Sequence, residues 1–341
     1  MNTHSHICGL GSFIPERILT NQDLEGMLDT SDEWITSRTG IRTRHILDDD
    51  ANASDAGAAA AAAAIRDAGL EAKDITHIFV ATCTPDFLCP SVACLIADKL
   101  GLSSAQEPRC GAVMCFDFNG ACSGFLYGLE LARATLALHP DAVVLLVGAE
   151  ALSRRMNFGD RSTCVLFGDG AGAVVLRGDG KGLWGVRDVS CCSDGSFHKL
   201  ITVGGGTSMR VKPGEPVPDE FFISMQGREV FRHAVRCMTA ESKKVLERNK
   251  LTVDDIDLFI AHQANLRIIE AVGSRLAMPE DKVFVNVHKF ANTSAATLPV
   301  ALDDARAQGR LKPGMRVLLT TFGGGMTWGA ALLDEGNFSS K

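Results

Sequence analysis

Short apolar runs alternate along the chain with longer stretches of helical periodicity. The runs at 78–81, 143–147, 165–167, 173–176, 258–261 and 317–320 are bounded by turn residues. Runs of that length and setting predict strands buried on both faces. Residues 54–68 are rich in alanine and stop at Gly69, a residue suited to a helix C-terminus. Phe125, Leu129, Ala132 and Leu136 recur at helical spacing within 123–138, and 225–249 reads as a long amphipathic helix. Strands separated by helices predict an α/β fold.

The pattern occurs twice. Gly69-Leu70-Glu71-Ala72-Lys73-Asp74-Ile75 leads into the apolar run Ile78-Phe79-Val80-Ala81. Later, Lys250-Leu251-Thr252-Val253-Asp254-Asp255-Ile256 leads into Leu258-Phe259-Ile260-Ala261. Asn119-Gly120-Ala121-Cys122 opens one helix and Asn292-Thr293-Ser294-Ala295 opens another. Phe167-Gly168-Asp169-Gly170 and Phe322-Gly323-Gly324-Gly325 each precede an apolar run. Chance among common α/β words is the plain alternative. Three pieces recurring in one order favour duplication. The division falls at 1–178 and 179–341, in the turn-rich stretch Arg177-Gly178-Asp179-Gly180-Lys181-Gly182. Duplicated halves packed about a pseudo-twofold axis bring equivalent loops face to face across one cleft. The alanine-rich helix suits a central position in such a fold, where small side chains let helices approach; plain helix propensity is the equal alternative.

Composition narrows the class. Of 341 residues, 46% are hydrophobic and 22% charged, as in globular proteins. The net charge of −7 disfavours nucleic acid or a membrane surface as a partner. No apolar stretch approaches the roughly 20 residues needed to span a bilayer. The first residues lack a signal-peptide layout. Eleven cysteines, with no CxxC pair, read as reduced thiols of a cytoplasmic protein. His4-Ser5-His6-Ile7-Cys8 holds ligand types without a partner set, so no metal is expected.

Cys122 is the first chemical candidate. It lies in Asn119-Gly120-Ala121-Cys122-Ser123-Gly124, at a helix start, where the helix dipole favours thiolate and lowers the thiol pKa. His262 ends the run 258–261, and strand ends are where α/β sites collect. Asn292 precedes a helix; it can cap that helix or, like His262, donate N–H to an oxyanion. Gly323-Gly324-Gly325 can bring backbone N–H groups near a ligand. It lies between two apolar runs, so it is not a phosphate-binding loop. Gly168–Gly172 is likewise followed by a strand and is not a dinucleotide fingerprint.

These motifs resemble the β-ketoacyl-acyl-carrier-protein synthase III family of the thiolase superfamily. The resemblance spans nearly the whole chain. It includes Gly9-Leu10-Gly11-Ser12-Phe13-Ile14-Pro15, Thr30-Ser31-Asp32-Glu33-Trp34-Ile35, Ala261-His262-Gln263-Ala264-Asn265, Asn292-Thr293-Ser294-Ala295-Ala296 and Phe322-Gly323-Gly324-Gly325-Met326-Thr327-Trp328-Gly329. It implies a thiolase-like five-layered αβαβα fold and a triad of Cys122, His262 and Asn292. It also implies decarboxylative condensation of an acyl-CoA primer, expected to be acetyl-CoA, with malonyl-acyl carrier protein, which starts fatty acid synthesis. Backbone N–H groups of Cys122 and Gly324 would form the oxyanion hole. Trp34, Arg38, Arg161 and Asn265 would bind CoA. Arg228, Arg232 and Arg236 share one helix face and, with Arg267, would dock the acidic carrier; a solvated helix face is the bland alternative. The family works without metal or organic cofactor and as a homodimer.

Three departures bear on the acyl chain. Cys89 stands where well-known members carry Phe at the end of the acyl pocket, which would admit a longer or branched primer. Residues 103–111 look like an insertion, and 204–218 form a longer loop than is typical. A related condensing enzyme for another pathway therefore stays open. So does a thioester hydrolase, because Gly120-Ala121-Cys122-Ser123-Gly124 fits a nucleophile elbow and the order Cys, His, Asn also fits papain-like proteases. A degradative thiolase would need a later second cysteine, and Cys237 is the last one here.

Overall fold

The computed structural model describes residues 5–102, 113–207, 209 and 216–334. In the first half, β1 is His6–Phe13, α1 Asp32–Thr39, α2 Ala53–Asp67, β2 His77–Ala81 and α3 Val92–Lys99. It continues with β3 Met114–Phe118, α4 Gly124–Leu138, β4 Val143–Glu150 and β5 Gly170–Arg177. In the second half, β6 is Trp184–Ser193, α5 Gly227–Arg248, β7 Leu258–Ala261, α6 Leu266–Leu276, α7 Thr297–Ala307, β8 Val317–Gly323 and β9 Thr327–Asp334.

The strands follow the order β7-β8-β9-β6-β1-β5-β4-β2-β3. Read outward from the middle, the two halves match. In the first, β1 pairs antiparallel with β5, β5 antiparallel with β4, and β4 parallel with β2. In the second, β6, β9, β8 and β7 repeat those senses. The counterpart of β3 is a single parallel bridge from Phe259 to Val283. His6 opposite Gly185 and Ile7 opposite Trp184 join the two half-sheets.

Helices make three layers around these sheets. α2 and α3 cover the outer face of the first half-sheet, and α5 and α6 that of the second. α4 and α7 lie between the sheets, each touching strands of both halves. This is the αβαβα arrangement. Alternation along β4 shows why the strands are apolar throughout. Val144 and Leu146 enter the central core with Phe125, Leu129, Leu298 and Leu302, while Leu145, Val147 and Ala149 face α2.

Two expectations need correction. The alanine-rich helix is α2, which lies in an outer layer. Its alanines meet a strand closely: a Cβ at Gly9 would sit 2.2 Å from the Ala64 carbonyl oxygen, and one at Gly11 2.5 Å from the Ala64 nitrogen, while α3 packs on its other side. The run 165–167 is not a strand but part of a turn, from which only Phe167 bridges, to Asn292. Its apolar side chains are buried against the second-half core instead.

Candidate active site

The two central helices start side by side, and their first turns are built alike. In the turn Ala121–Ser123, the Asn119 carboxamide oxygen accepts the Ala121 N–H at 2.9 Å, and Ala121 has φ 46°. In the turn Ser294–Ala296, the Asn292 carboxamide oxygen accepts the Ser294 N–H at 2.8 Å, and Ser294 has φ 49°. Left-handed backbone at a residue other than glycine costs energy and persists only where packing over-determines it. The bond to Ser294 also orients Asn292. Its oxygen is occupied, so its NH₂ group is left to donate.

The end of β8 clamps the nucleophile turn. Thr321 donates its hydroxyl to the Cys122 carbonyl at 3.0 Å. A Cβ at Gly323 would lie 2.7 Å from the Cys122 nitrogen, so only glycine permits this approach. His262 is tied to the same strand, its N–H donating to the Thr320 carbonyl at 2.8 Å. Its ring Nδ1 lies 2.5 Å from the Thr297 hydroxyl oxygen, which is also 3.1 Å from the Ser294 carbonyl. That hydroxyl has one proton. Donated to the Ser294 carbonyl, it leaves the hydroxyl oxygen accepting from Nδ1–H; donated to Nδ1, it puts the ring hydrogen on Nε2. Through Thr297, Ser294 and Thr321, the three candidates from the two halves come into one cluster.

A cavity of about 320 Å³ opens beside this cluster. Cys83, Cys122, Ser294 and Gly324 line one part, with Leu152, Phe167, Ile201, Val203 and Ile223 as apolar wall. His262 and Asn292 are buried behind it, 3% and 6% exposed. Burial dominates the electrostatics. It pushes the Cys122 thiol up to about 12, the hydrogen bond from Ser294 opposing it and the nearby Glu150 adding to it. The helix start therefore does not leave a low thiol pKa as expected. Burial alone pulls the His262 ring down to about 3, so the ring is neutral at ordinary pH.

That value implies an acid sensitivity. The folded pKa lies below the unfolded one, near 6.5. The resulting stability is present above about pH 6.5 and is lost as pH falls towards 3, by about 1.4 kcal/mol per pH unit. His262→Asn removes this contribution. Urea midpoints measured at pH 7.5 and 4.5 should differ less in the variant than in the parent; an equal drop in both would show that His262 titrates normally.

Four further candidates gather on the surface. Trp34, on α1, has the Arg38 guanidinium 4.7 Å and the Arg161 guanidinium 5.2 Å from its ring centroid. Asn265 donates from its carboxamide to the Arg38 carbonyl at 3.1 Å and caps α6 by accepting the Arg267 N–H at 2.9 Å. Arg228, Arg232 and Arg236 are all exposed on α5. Arg232 pairs with Glu229, and Arg236 reaches the His233 ring at 3.1 Å. Arg267 joins this face, 5.9 Å from the Phe231 ring.

Cys89 stands apart. It is exposed and does not line the cavity, because its loop projects from the first half-sheet with Phe87 and Leu88. Within one chain it cannot end an acyl pocket. Residues 103–111, and 208 and 210–215 of the long loop, lie outside the described residues. Sequence reasoning missed Cys83, Glu150, Ser294, Thr297 and Thr321. One signal was present: Glu150 is a lone acid closing the apolar strand β4, at a strand end of the kind where sites form.

Known proteins match this chain closely. The sequence family described as 3-oxoacyl-[acyl-carrier-protein (ACP)] synthase III matches residues 116–195, and its C-terminal counterpart matches 246–334. A β-ketoacyl-[acyl-carrier-protein] synthase III from Nitratidesulfovibrio vulgaris (strain DSM 19637 / Miyazaki F) is 58% identical, over 95% of this chain and 96% of the relative. The crystal structure of 3-oxoacyl-[acyl-carrier-protein] synthase III from Aquifex aeolicus VF5 is 40% identical, with a TM-score of 0.87 over 97% of this chain and 99% of that one. The priming β-ketosynthase from the R1128 polyketide biosynthetic pathway is 32% identical, with a TM-score of 0.87 over 97% of this chain and 96% of that one.

Proposed function

From the premise that this chain belongs to the 3-oxoacyl-acyl-carrier-protein synthase III family, we propose how its residues divide the work. The enzyme is an acyltransferase that condenses an acyl-CoA with malonyl-acyl carrier protein at the start of fatty acid synthesis. The carrying observation is the meeting of Cys122, His262 and Asn292 at the paired starts of the central helices.

Cys122 sulfur attacks the acyl-CoA thioester and retains the acyl group, releasing CoA. The negative oxygen formed in that step faces the backbone N–H groups of Cys122 and Gly324. Malonyl on the carrier then loses CO₂. The resulting enolate oxygen takes hydrogen bonds from His262 Nε2–H and the Asn292 NH₂. A neutral His262 suits this role because it donates without competing as a base. The carbanion attacks the acyl-Cys122 thioester, and the thiolate leaves. CO₂ release drives the sequence, so no metal or organic cofactor is invoked. Acetyl-CoA is the expected primer.

Trp34, Arg38 and Arg161 form a flat cationic platform suited to the base and phosphates of CoA, with Asn265 beside it. The test is intact-mass analysis of the protein after exposure to mixed acyl-CoA thioesters, followed by malonyl-carrier protein. An acyl adduct on Cys122 that then yields a 3-oxoacyl-carrier product with CO₂ is expected. Thioester hydrolysis without condensation would favour the hydrolase. A preference for a long or modified primer would place the product in another pathway, as for the polyketide-priming neighbour.

The acidic carrier would dock on Arg228, Arg232, Arg236 and Arg267. The double variant Arg232→Glu/Arg267→Glu should raise KM for malonyl-carrier protein about tenfold at low salt, leaving KM for acyl-CoA unchanged. Equal effects on both substrates would refute this surface. A homodimer would form along the open edge of β3, where Phe87 is 57%, Leu88 83% and Met114 55% exposed. There Cys89 could reach the partner's cavity. Ten described cysteines are free, which suits the cytoplasm. Among the described residues, no helix is long and apolar enough to cross a membrane.

A further inference from the structure

Asn292 sits on a strained backbone. Ala291, just before it, has φ 57° and ψ −158°, a region almost confined to glycine. Such strain persists only where neighbours over-determine it. Here the neighbours belong to the first half of the chain. The Asn292 N–H donates to the Leu166 carbonyl at 3.0 Å, and the Asn292 carbonyl accepts the Gly168 N–H at 3.1 Å. The turn 165–168 therefore grips both backbone polar groups of Asn292. A Cβ at Gly168 would lie 2.9 Å from the Phe290 carbonyl oxygen, so any side chain there would push the turn away.

A buried cation fixes that turn. Arg44 lies on the short strand Thr43–His45 and is 0% exposed. Its Nη2 donates to the Val165 carbonyl at 3.1 Å and to the Asn21 carboxamide oxygen at 2.8 Å, and its Nη1 donates to the Leu19 carbonyl at 3.2 Å. All three acceptors are uncharged, and among the described residues no carboxylate pairs with the guanidinium. Burial pulls it down to about 10, which leaves it cationic at neutral pH. A buried charge without a counter-ion is costly, and an apolar side chain of similar volume would fill the space more cheaply. Arginine supplies what an apolar side chain lacks, a planar fork of donors that holds several oxygens in fixed directions.

The residues beside Arg44 hold the other flank of Asn292. The Arg42 N–H donates to the His288 carbonyl at 3.1 Å, and the Thr43 hydroxyl donates to the Lys289 carbonyl at 2.8 Å. The His45 carbonyl accepts the Asp169 N–H at 2.8 Å, just past the turn. Segment 42–45 thus touches both the chain that leads into Asn292 and the turn that grips it. We propose that Arg44 is a positioning residue, which sets the turn 165–168 through the Val165 carbonyl and so aims the Asn292 NH₂ group. This deepens the function proposed above and rests on Asn292 as a donor to the enolate. Arg44 does not line the cavity, so it acts through the turn and not on the substrate. Its effect falls on condensation, where a donor misplaced by about 1 Å can cost up to about 100-fold. The turn also carries Phe167 into the cavity wall, so the fit of the acyl chain is a smaller second consequence.

The test is a double-mutant cycle on the second half-reaction. Parent, Arg44→Met, Asn292→Ala and the double variant are first acetylated on Cys122. Each then reacts with saturating malonyl-carrier protein in a single turnover. Arg44→Met should condense about 10- to 100-fold more slowly than the parent. In the Asn292→Ala background the same substitution should cost no more than about twofold, because the group it aims is already gone. A purely structural role for Arg44 would give the full loss in both backgrounds, which overturns the proposal. So would a parental rate in Arg44→Met. Should Arg44→Met fail to fold, Arg44→Lys decides by the same cycle, since lysine keeps the charge but not the fork: a loss that vanishes beside Asn292→Ala supports the role, and a parental rate or an additive loss overturns it. Asn292→Ala is also read by itself. A parental rate there refutes the enolate donor and the positioning role together, whereas a large Asn292→Ala effect with an additive Arg44 loss refutes the positioning role alone.

Discussion

Cys122→Ala ends acyl transfer. No acyl adduct should form on the variant, and condensation should fall by more than about 10⁴-fold, as when a covalent nucleophile is removed from a hydrolase site. The fold should survive. Alanine replaces a small side chain at the edge of a cavity. Backbone contacts keep the turn in place, because Thr321 bonds to the Cys122 carbonyl and Gly323 packs on its nitrogen. Circular dichroism and acyl-CoA binding should match the parent. Full condensing activity in this variant would remove Cys122 from the mechanism and revive a noncovalent or hydrolytic reading.

The second large effect separates the two half-reactions. His262→Ala and Asn292→Ala should each lower condensation by about 10²- to 10³-fold, the loss typical of one oxyanion donor. Acylation of Cys122 by acyl-CoA should stay within a few-fold of the parent, because in the proposed mechanism both groups serve the enolate oxygen. The contrast arises from orientation. Asn292 is held by Ser294 N–H so that its NH₂ donates, and Thr297 holds the His262 ring at Nδ1, which leaves Nε2 for the enolate. His262→Ala also leaves the buried Thr297 hydroxyl without its nearer partner, which costs about 1–3 kcal/mol. Stability must therefore be measured beside rate. If acylation collapsed as far as condensation in both variants, the imidazole would be the base for Cys122.

Much of the fold was legible. Strands buried on both faces announce themselves as apolar runs, and 258–261 matches β7 to the residue. The repeated words around Asp74 and Asp255 became equivalent short turns, Ala72–Asp74 and Val253–Asp255, each leading into a parallel strand. Asn119 and Asn292, matched by sequence alone, make the same hydrogen bond in the same strained turn. The failures have physical causes. The run 165–167 is apolar because the second-half core buries it, and burial without a pairing partner does not make a strand. The alanines of α2 are small because a strand backbone lies against them, a fact no periodicity can report. Cys89 matches a pocket position in sequence, yet its loop carries it outside the cavity of its own chain.

Residue types and their order offered a sulfur, an imidazole and a carboxamide, each at the start of a helix or the end of a strand, and the family resemblance supplied the class of chemistry. Tertiary packing alone decided their protonation, their partners and their direction. It raised the thiol, lowered the imidazole and tied the His262 ring to Thr297. Those properties depend on desolvation and on hydrogen bonds between residues distant in sequence, from His262–Thr297 within the second half to Cys122–Thr321 across the two, so they come into being only when the chain packs.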